Sequence, residues 1–101
     1  MVVILTTCEP KDAQMILRAL LTKRLVACGN ITNGVKSMYW WDGKIQDDEE
    51  CTIFMETTEV NKEAALQALA EVHPYDVPKI LCWQPQANES YTQWLHAETK
   101  S

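Results

Sequence analysis

The alternation of apolar and polar positions divides the first part of the chain into a strand and a helix. Residues 2–7 are apolar or β-branched at both odd and even positions, which is typical of a strand covered on both faces. Between Lys11 and Arg24, apolar residues recur at intervals of three and four, and Pro10 precedes them. This spacing predicts an amphipathic helix after the first strand.

A long β-hairpin is predicted in the middle of the chain. Residues 25–41 are rich in strand formers and end at Asp42-Gly43, a dipeptide that favours the two-residue type I′ turn. A second strand returns over residues 44–58. Two strands joined by so short a turn must pair antiparallel along their length.

The two-residue turn fixes the register of this hairpin. It pairs Trp41 with Lys44, Trp40 with Ile45, Met38 with Asp47 and Lys36 with Glu49. Trp40 and Ile45 then share one face, while Trp41 and Tyr39 share the other. Both faces of the ribbon carry aromatic side chains, and a ribbon of two strands is only marginally stable alone. We therefore expect a partner to cover it.

The second half of the chain predicts a helix, a strand and a final helix. The helix covers residues 59–72, with Asn61 as its N-cap and Pro74 after its end. Residues 79–83 form a short apolar strand, and residues 88–97 a terminal helix. The order βαββαβ plus a helix matches the ferredoxin-like α+β fold, in which two helices pack on one face of an antiparallel sheet.

The predicted hairpin is long for a single domain spanning residues 1–101. A strand of about 20 residues would reach roughly 65 Å if straight, whereas a domain of this size is about 35 Å across. We expect a bend or bulge at residues 32–34, where Asn33 and Gly34 tolerate unusual dihedral angles, and a tip that projects beyond the body. A closed homo-oligomer, in which the hairpin of one subunit extends the sheet of the next, would cover the exposed apolar faces.

Charge and cysteine content narrow the classes of partner. Asp and Glu outnumber Lys and Arg by 14 to 9, which leaves no basic surface for nucleic acid. The apolar start of the chain is too short for a signal or membrane segment, which predicts a cytoplasmic protein without a membrane partner. The four scattered cysteines indicate reduced, mostly buried thiols. We expect the acidic run at residues 47–50 to lie in a solvated ribbon and to be partly paired with Lys36 and Lys44.

Four strings carry a resemblance to a known family: "LVACGNITNGVKSMYWWDGKI" (25–45), "ETT" (56–58), "HPYDVP" (73–78) and "YTQWL" (91–95). In this order and spacing they resemble the CutA family of divalent-cation tolerance proteins. The resemblance implies a subunit related to the PII signalling proteins, a tight homotrimer, and a non-enzymatic role in the response to copper and other divalent cations. The alternative is a PII-like trimeric sensor of a small ligand.

The resemblance also implies where a metal ion would bind, with no cofactor required and copper or another divalent cation as the candidate ligand. The copper ligands proposed in the family are a cysteine of the first strand and two consecutive histidines. The corresponding residues here are Thr6, Val72 and His73, so Thr6 and Val72 replace two of the ligands. Cys8 lies two positions along from Thr6. Cys28 matches a family cysteine, so His73 and Cys28 are the candidate metal ligands. Their ordinary alternatives are a histidine that caps helix carbonyls and a buried small hydrophobic residue.

The remaining candidate residues fall into two groups. The predicted subunit interface contains Tyr39, Trp40, Trp41 and Ile45, and the candidate ligand cleft contains Lys44, Tyr75, Tyr91 and Trp94. Aromatic residues at such positions also serve as ordinary packing. Asn33 and Glu56 depart from the family, which commonly has proline and lysine there. No phosphate loop or nucleophile–base set is present, so no enzyme activity is predicted.

Overall fold

The computed structural model describes residues 1–100 and contains the predicted order of elements. They are β1 (Val2–Cys8), a 3₁₀ turn (Pro10–Asp12), α1 (Ala13–Thr22), β2 (Cys28–Trp41), β3 (Lys44–Thr57), α2 (Lys62–Val72), β4 (Ile80–Trp83) and α3 (Glu89–Glu98). The predicted ends differ from these by three residues or fewer, which is the usual uncertainty at element termini. Among residues 1–100, no helix has the length and apolar character needed to span a bilayer.

The four strands form one antiparallel sheet in the order β2-β3-β1-β4. Helices α1 and α2 pack on one side, here called the helix face. Their apolar residues join those of the central strands in a single core, which includes Val2, Ile4, Ile16, Leu20, Ile53, Met55 and Leu69. Because β1 and β3 are the inner strands, they supply most of the sheet's contribution to this core.

The other side of the sheet, here called the open face, is also apolar. Phe54 of β3 and Trp83 of β4 meet edge to face, with ring centroids 5.9 Å apart. Leu81 nevertheless remains 50% exposed and Trp83 is partly exposed. Both faces of the sheet are therefore apolar, as the pattern of residues 2–7 indicated for β1, and part of the open face is uncovered in the isolated subunit.

The hairpin has the predicted register along its distal part, from Lys36 paired with Glu49 to Trp41 paired with Lys44. Asp42 and Gly43 have φ values of 54° and 74°, as the two central residues of a type I′ turn require. The Asp42-Gly43 turn thus sets which residues share a face, as the sequence indicated.

A bulge interrupts the hairpin between Thr32 and Val35, at the predicted position. Gly34 has a φ of 73°, a left-handed conformation that glycine adopts without a steric penalty. The Cys51 thiol donates a hydrogen bond of 3.0 Å to the side-chain oxygen of Asn33. Beyond the bulge the ribbon projects, and the subunit measures 45 × 24 × 20 Å.

Asn61 precedes α2 as predicted, but its side chain does not cap the helix. Its backbone is helical (φ −95°, ψ −2°) rather than extended, so the amide cannot fold back to the first-turn N–H groups. Instead its Nδ2 donates to Thr58 Oγ1 at 2.8 Å and to the Lys100 carbonyl. This buried amide ties the end of the chain to the start of α2.

At Gly29, β2 lies against the Leu17 side chain of α1. A Cβ atom added there would lie 2.3 Å from Leu17 Cδ1, so the Leu17 side chain would have to move. We expect Gly29→Ala to lower the free energy of unfolding by about 1–3 kcal/mol, as overpacking does in other cores. Urea denaturation of both proteins measures this difference. The substitution should cost much less in a Leu17→Ala background, and an equal cost in both backgrounds would rule out the Leu17 contact as its cause.

Candidate ligand groove and subunit interface

A groove of about 1170 Å³ lies between the hairpin and the loop at residues 75–79. The hairpin lines it with the side that continues the open face of the sheet, here called the open side of the ribbon. Tyr39 and Trp41 contribute aromatic rings from the ribbon, and Tyr75 faces them from the loop side. Five acidic and three basic residues also line it, namely Glu9, Asp48, Glu49, Glu50, Asp76, Lys11, Lys36 and Lys79. The groove is therefore amphipathic and carries a net negative charge.

Glu50 connects the groove to the body of the sheet. Its side chain is only 7% exposed, and its Oε2 accepts a 2.6 Å hydrogen bond from the Tyr75 hydroxyl. Burial, followed by the hydrogen bond to Glu50, raises the pKa of Tyr75 well above its usual range. The prediction that the whole acidic run is solvated is wrong at this residue, because the ribbon enters the sheet body there.

The rest of the acidic run is exposed, as expected for a solvated ribbon. Lys36 faces Glu49 in the register, yet within residues 1–100 neither Lys36 nor Lys44 forms an ion pair. The predicted partial pairing with these lysines is therefore absent from this part of the chain. An exposed pair contributes little, because water and salt screen both charges.

His73 follows α2 and is buried against β1. Its Nδ1 accepts a hydrogen bond of 3.2 Å from the Tyr75 backbone N–H, which places the ring proton on Nε2. Nε2 lies 2.9 Å from the Thr7 carbonyl oxygen and 3.1 Å from Thr6 Oγ1. The histidine therefore bonds to a strand carbonyl instead of capping its own helix, and a metal ion would have to displace one of these bonds.

Cys28 lies elsewhere, at the start of β2 and opposite Glu56 on the open face. Glu56 is 6% exposed and accepts a hydrogen bond from the Tyr91 hydroxyl. Burial, and next the hydrogen bond to Glu56, raise the pKa of Tyr91 above its usual range. Cys28 and His73 are thus not brought together, and residues 1–100 contain no group of three or more His, Cys, Asp or Glu arranged to hold a metal ion.

The four residues of the predicted ligand cleft are distributed over the subunit. Tyr75 lines the large groove, whereas Trp94 lines a separate cavity of about 360 Å³ beside Arg24. Tyr91 stacks on Trp94 with ring centroids 5.4 Å apart. Lys44 stands at the tip of the hairpin. A cleft that joined all four would need surfaces from two subunits, and the cleft stays a prediction.

The four predicted interface residues are all exposed in the single subunit. Trp41 and Tyr39 share the open side of the ribbon, with exposures of 53% and 40%. Trp40, paired with Ile45 on the other side, is 72% exposed. Aromatic surface on both sides of a projecting ribbon is characteristic of a protein contact.

The sequence did not show that Glu50 and Glu56 are buried, or that each accepts a hydrogen bond from one of the candidate tyrosines, Tyr75 and Tyr91. The partners lie 25 and 35 residues away along the chain. One signal could have found the acids, since both have the same strand parity as the apolar Phe54 and so share the open face.

His73→Leu is expected to lower the free energy of unfolding by about 1–3 kcal/mol, because it removes the donor to the buried Thr7 carbonyl. Chemical denaturation measures the loss. His96→Leu is the matched control, since His96 is exposed on α3 and should change stability by less than about 0.5 kcal/mol. Equal effects of the two substitutions would contradict the structural role of His73.

Comparison with known proteins assigns the chain to one family. The family described as CutA1 divalent ion tolerance protein matches residues 1–98. The divalent-cation tolerance protein CutA of Pyrococcus horikoshii is 37% identical over 102 residues, with 99% of each chain covered.

Solved structures show the same correspondence. The crystal structure of CutA1 from Pyrococcus horikoshii superposes with a TM-score of 0.94 at 36% identity, covering 100% of both chains. The PII-like protein CutA from a Nostoc species, in its apo form, gives a TM-score of 0.93 at 28% identity, covering 99% of this chain and 98% of that one. The ferredoxin-like subunit with its extended hairpin is therefore shared with these proteins. The chain thus belongs to the CutA1 family of divalent ion tolerance proteins.

Proposed function

We propose that this protein is a cytoplasmic, non-enzymatic divalent-cation tolerance protein, built as a single domain over residues 1–101 and assembled as a homotrimer. The observation that carries the proposal is the correspondence along the whole chain with a relative named for divalent-cation tolerance. The match covers 99% of each protein. The response would concern copper and other divalent cations.

The exposed apolar surface supports assembly with further copies of the chain. The ribbon presents Trp40 and Trp41 on opposite sides, and the open face presents Leu81 and Trp83. The sheet has two different edges, β2 and β4, so one copy can add its long edge to the short edge of the next. Such head-to-tail contacts close into a ring when the rotation allows, and a ring of three would cover both edges of every subunit.

Direct metal binding is expected to be weak. Both ring nitrogens of His73 already have hydrogen-bond partners, and Cys28 lies at a different part of the sheet. Titration calorimetry with copper, zinc and cobalt tests this directly, with His73→Leu and Cys28→Ser as the variants that should reduce the heat. Absence of heat with all three ions would show that the protein does not bind them, and tolerance would then arise indirectly.

The tolerance function is tested in cells that lack their own CutA protein. Expression of this chain should restore growth at a copper concentration that inhibits the deficient cells. The Trp41→Ala variant, expressed to the same level, should restore it less well if the assembled form is the active one. No restoration by the unmodified chain would overturn the proposed role in copper tolerance.

A PII-like ligand sensor is the second candidate, favoured by the groove beside Tyr75 and by similarity to a protein described as PII-like. A thermal-shift screen with nucleotides and metabolites would detect it, because a ligand specific for the native state raises the melting temperature. Asp76→Asn, which changes one exposed charge of the groove, should alter the shift caused by a charged ligand. The variant Lys100→Gln, outside the groove, serves as the control.

A further inference from the structure

Cys8 and Cys51 face each other across the two inner strands of the sheet. They are directly opposed partners in the antiparallel pairing of β1 with β3, and both are completely buried in the core of the helix face. Opposed residues in such a ladder point to the same side, with Cα atoms about 4.5–5.5 Å apart. A disulfide needs a Cα separation of about 4.4–6.8 Å. The register therefore places the Cα atoms of these two free cysteines within the range that a disulfide requires.

The β1–β3 register is regular up to this pair, but each cysteine lies beside an irregular stretch of backbone. Cys8 is the last residue of β1, directly before the turn at residues 9–12. Cys51 lies next to the bulge of the hairpin, where its thiol donates to the Asn33 side chain. Strand ends and bulges open locally at a lower free-energy cost than the middle of a strand. Such opening would give a small oxidant access to the pair while the rest of the subunit stays folded.

The other two cysteines cannot form the same link within a chain. Cys28 belongs to β2 and Cys82 to β4, and these strands are the opposite edges of the sheet. Cys8 and Cys51 are therefore the two cysteines that one chain can link, and Cys28 and Cys82 serve as controls within the same chain.

We propose that Cys8 and Cys51 are a redox-active pair that hydrogen peroxide converts into an intrachain disulfide between β1 and β3. One thiolate attacks a peroxide oxygen, which gives a sulfenic acid and, after proton transfer, one water molecule. The second thiol then attacks the sulfenic sulfur, which forms the S–S bond and releases a second water. Two thiols are oxidised by two electrons in total, and one peroxide is reduced.

The surroundings of Cys8 limit how fast the first step proceeds. Burial, and next the approach of Cys51, raise the pKa of the Cys8 thiol to about 11. Asp12, Glu50 and Glu9 act in the same direction. Little thiolate is present at neutral pH, so oxidation is expected to be slow at pH 7 and faster as the pH rises towards 9.

The product would close a loop of roughly 40 residues that contains α1, all of β2 and the first half of β3, which restricts the unfolded chain. Glu50 precedes Cys51 directly, so the link would also fix the end of the groove where Tyr75 is bound. Oxidised protein is thus expected to melt roughly 10 °C higher than reduced protein.

The test treats the reduced, full-length protein with hydrogen peroxide at pH 7 and pH 9 and maps its peptides without reduction. The expected product is a peptide pair joined through Cys8 and Cys51, in a chain that runs as a monomer on a denaturing gel. The rise in melting temperature should disappear after treatment with dithiothreitol. A Cys28→Ser/Cys82→Ser variant should keep the rise, and Cys51→Ser should lose it.

The peptide map of the unmodified protein decides the outcome even if Cys51→Ser folds poorly. Free or overoxidised Cys8 and Cys51 after treatment, or links that involve mainly Cys28 and Cys82, would overturn the proposal. A joined Cys8–Cys51 peptide without any change in melting temperature would confirm the bond and refute its stabilising effect.

Discussion

Replacing Trp41 with alanine is expected to weaken subunit assembly by about 2–4 kcal/mol per contact, or roughly 30- to 1,000-fold in affinity. Trp41 is 53% exposed in the single chain and stands on the open side of the ribbon beside Tyr39. Little of the fold within the subunit depends on its side chain. The lost contact area should therefore appear in the association equilibrium, which analytical ultracentrifugation measures across a range of protein concentrations.

The circular dichroism spectrum of the Trp41→Ala subunit should stay close to that of the unmodified chain. Val60→Ala is the control, because Val60 is 78% exposed but lies outside the hairpin, in the turn before α2. An unchanged oligomer mass and an unchanged dissociation by denaturant would show that Trp41 does not contribute to the interface.

A rise in pH above about 9 is expected to destabilise the folded protein steeply. The pKa of the Cys8 thiol is raised to about 11 by burial, and the pKa values of Tyr75 and Tyr91 are raised by burial and by their bonds to carboxylates. The folded state keeps these three protons at a pH where the unfolded chain releases them. Their contribution to stability is complete below the unfolded pKa values and is lost as the pH rises through the folded ones.

The expected size of the effect follows from proton linkage. Each group that titrates only in the unfolded state lowers the free energy of unfolding by at most about 1.4 kcal/mol per pH unit. Between pH 10 and 11 all three groups contribute, which gives a slope of up to about 4 kcal/mol per pH unit. Urea denaturation at a fixed protein concentration, repeated from pH 8 to pH 11, measures this slope.

Tyr75→Phe separates the contribution of one proton. The variant should be less stable at neutral pH by about 1–3 kcal/mol, because the buried Glu50 loses its donor. Its slope above pH 10 should nevertheless be about one third smaller than that of the unmodified protein. An identical slope would mean that Tyr75 does not hold its proton in the folded state.

The hairpin was the most predictable part of the fold. The Asp42-Gly43 turn determines the pairing of the residues beside it, and the two-residue period of a strand then assigns each side chain to a face. Both rules are local, so they needed no knowledge of the rest of the chain. The bulge at residues 33–34 was predictable for a similar reason, because Asn-Gly accepts left-handed backbone conformations.

The polar contacts of the body were less predictable because they join distant segments. Glu50 belongs to an acidic run that looks solvated, and only the approach of Tyr75 shows why this one member is buried. Asn61 occupies the expected position, yet its amide bonds to Lys100 at the far end of the chain. A strand or helix pattern assigns a face to a residue, but it does not reveal which segment covers that face.

The candidate metal ligands show the same limit. The resemblance to the family makes His73 and Cys28 candidate ligands. Sequence spacing does not show that both ring nitrogens of His73 are hydrogen-bonded, one to the Thr7 carbonyl and the other to the Tyr75 backbone N–H. Cys82 was expected to be buried and is exposed, since β4 is a short edge strand. These features arise from the packing of strands far apart in the sequence.

The mass of the protein in solution tests the proposed assembly most directly. Light scattering coupled to size-exclusion chromatography, at micromolar concentration and neutral pH, should give three times the chain mass of 11.5 kDa. The trimer should persist on dilution, since an interface built on both sides of the ribbon and on the open face is large and apolar. A stable species with the mass of a single chain would contradict the assembly and leave the exposed tryptophans without a partner.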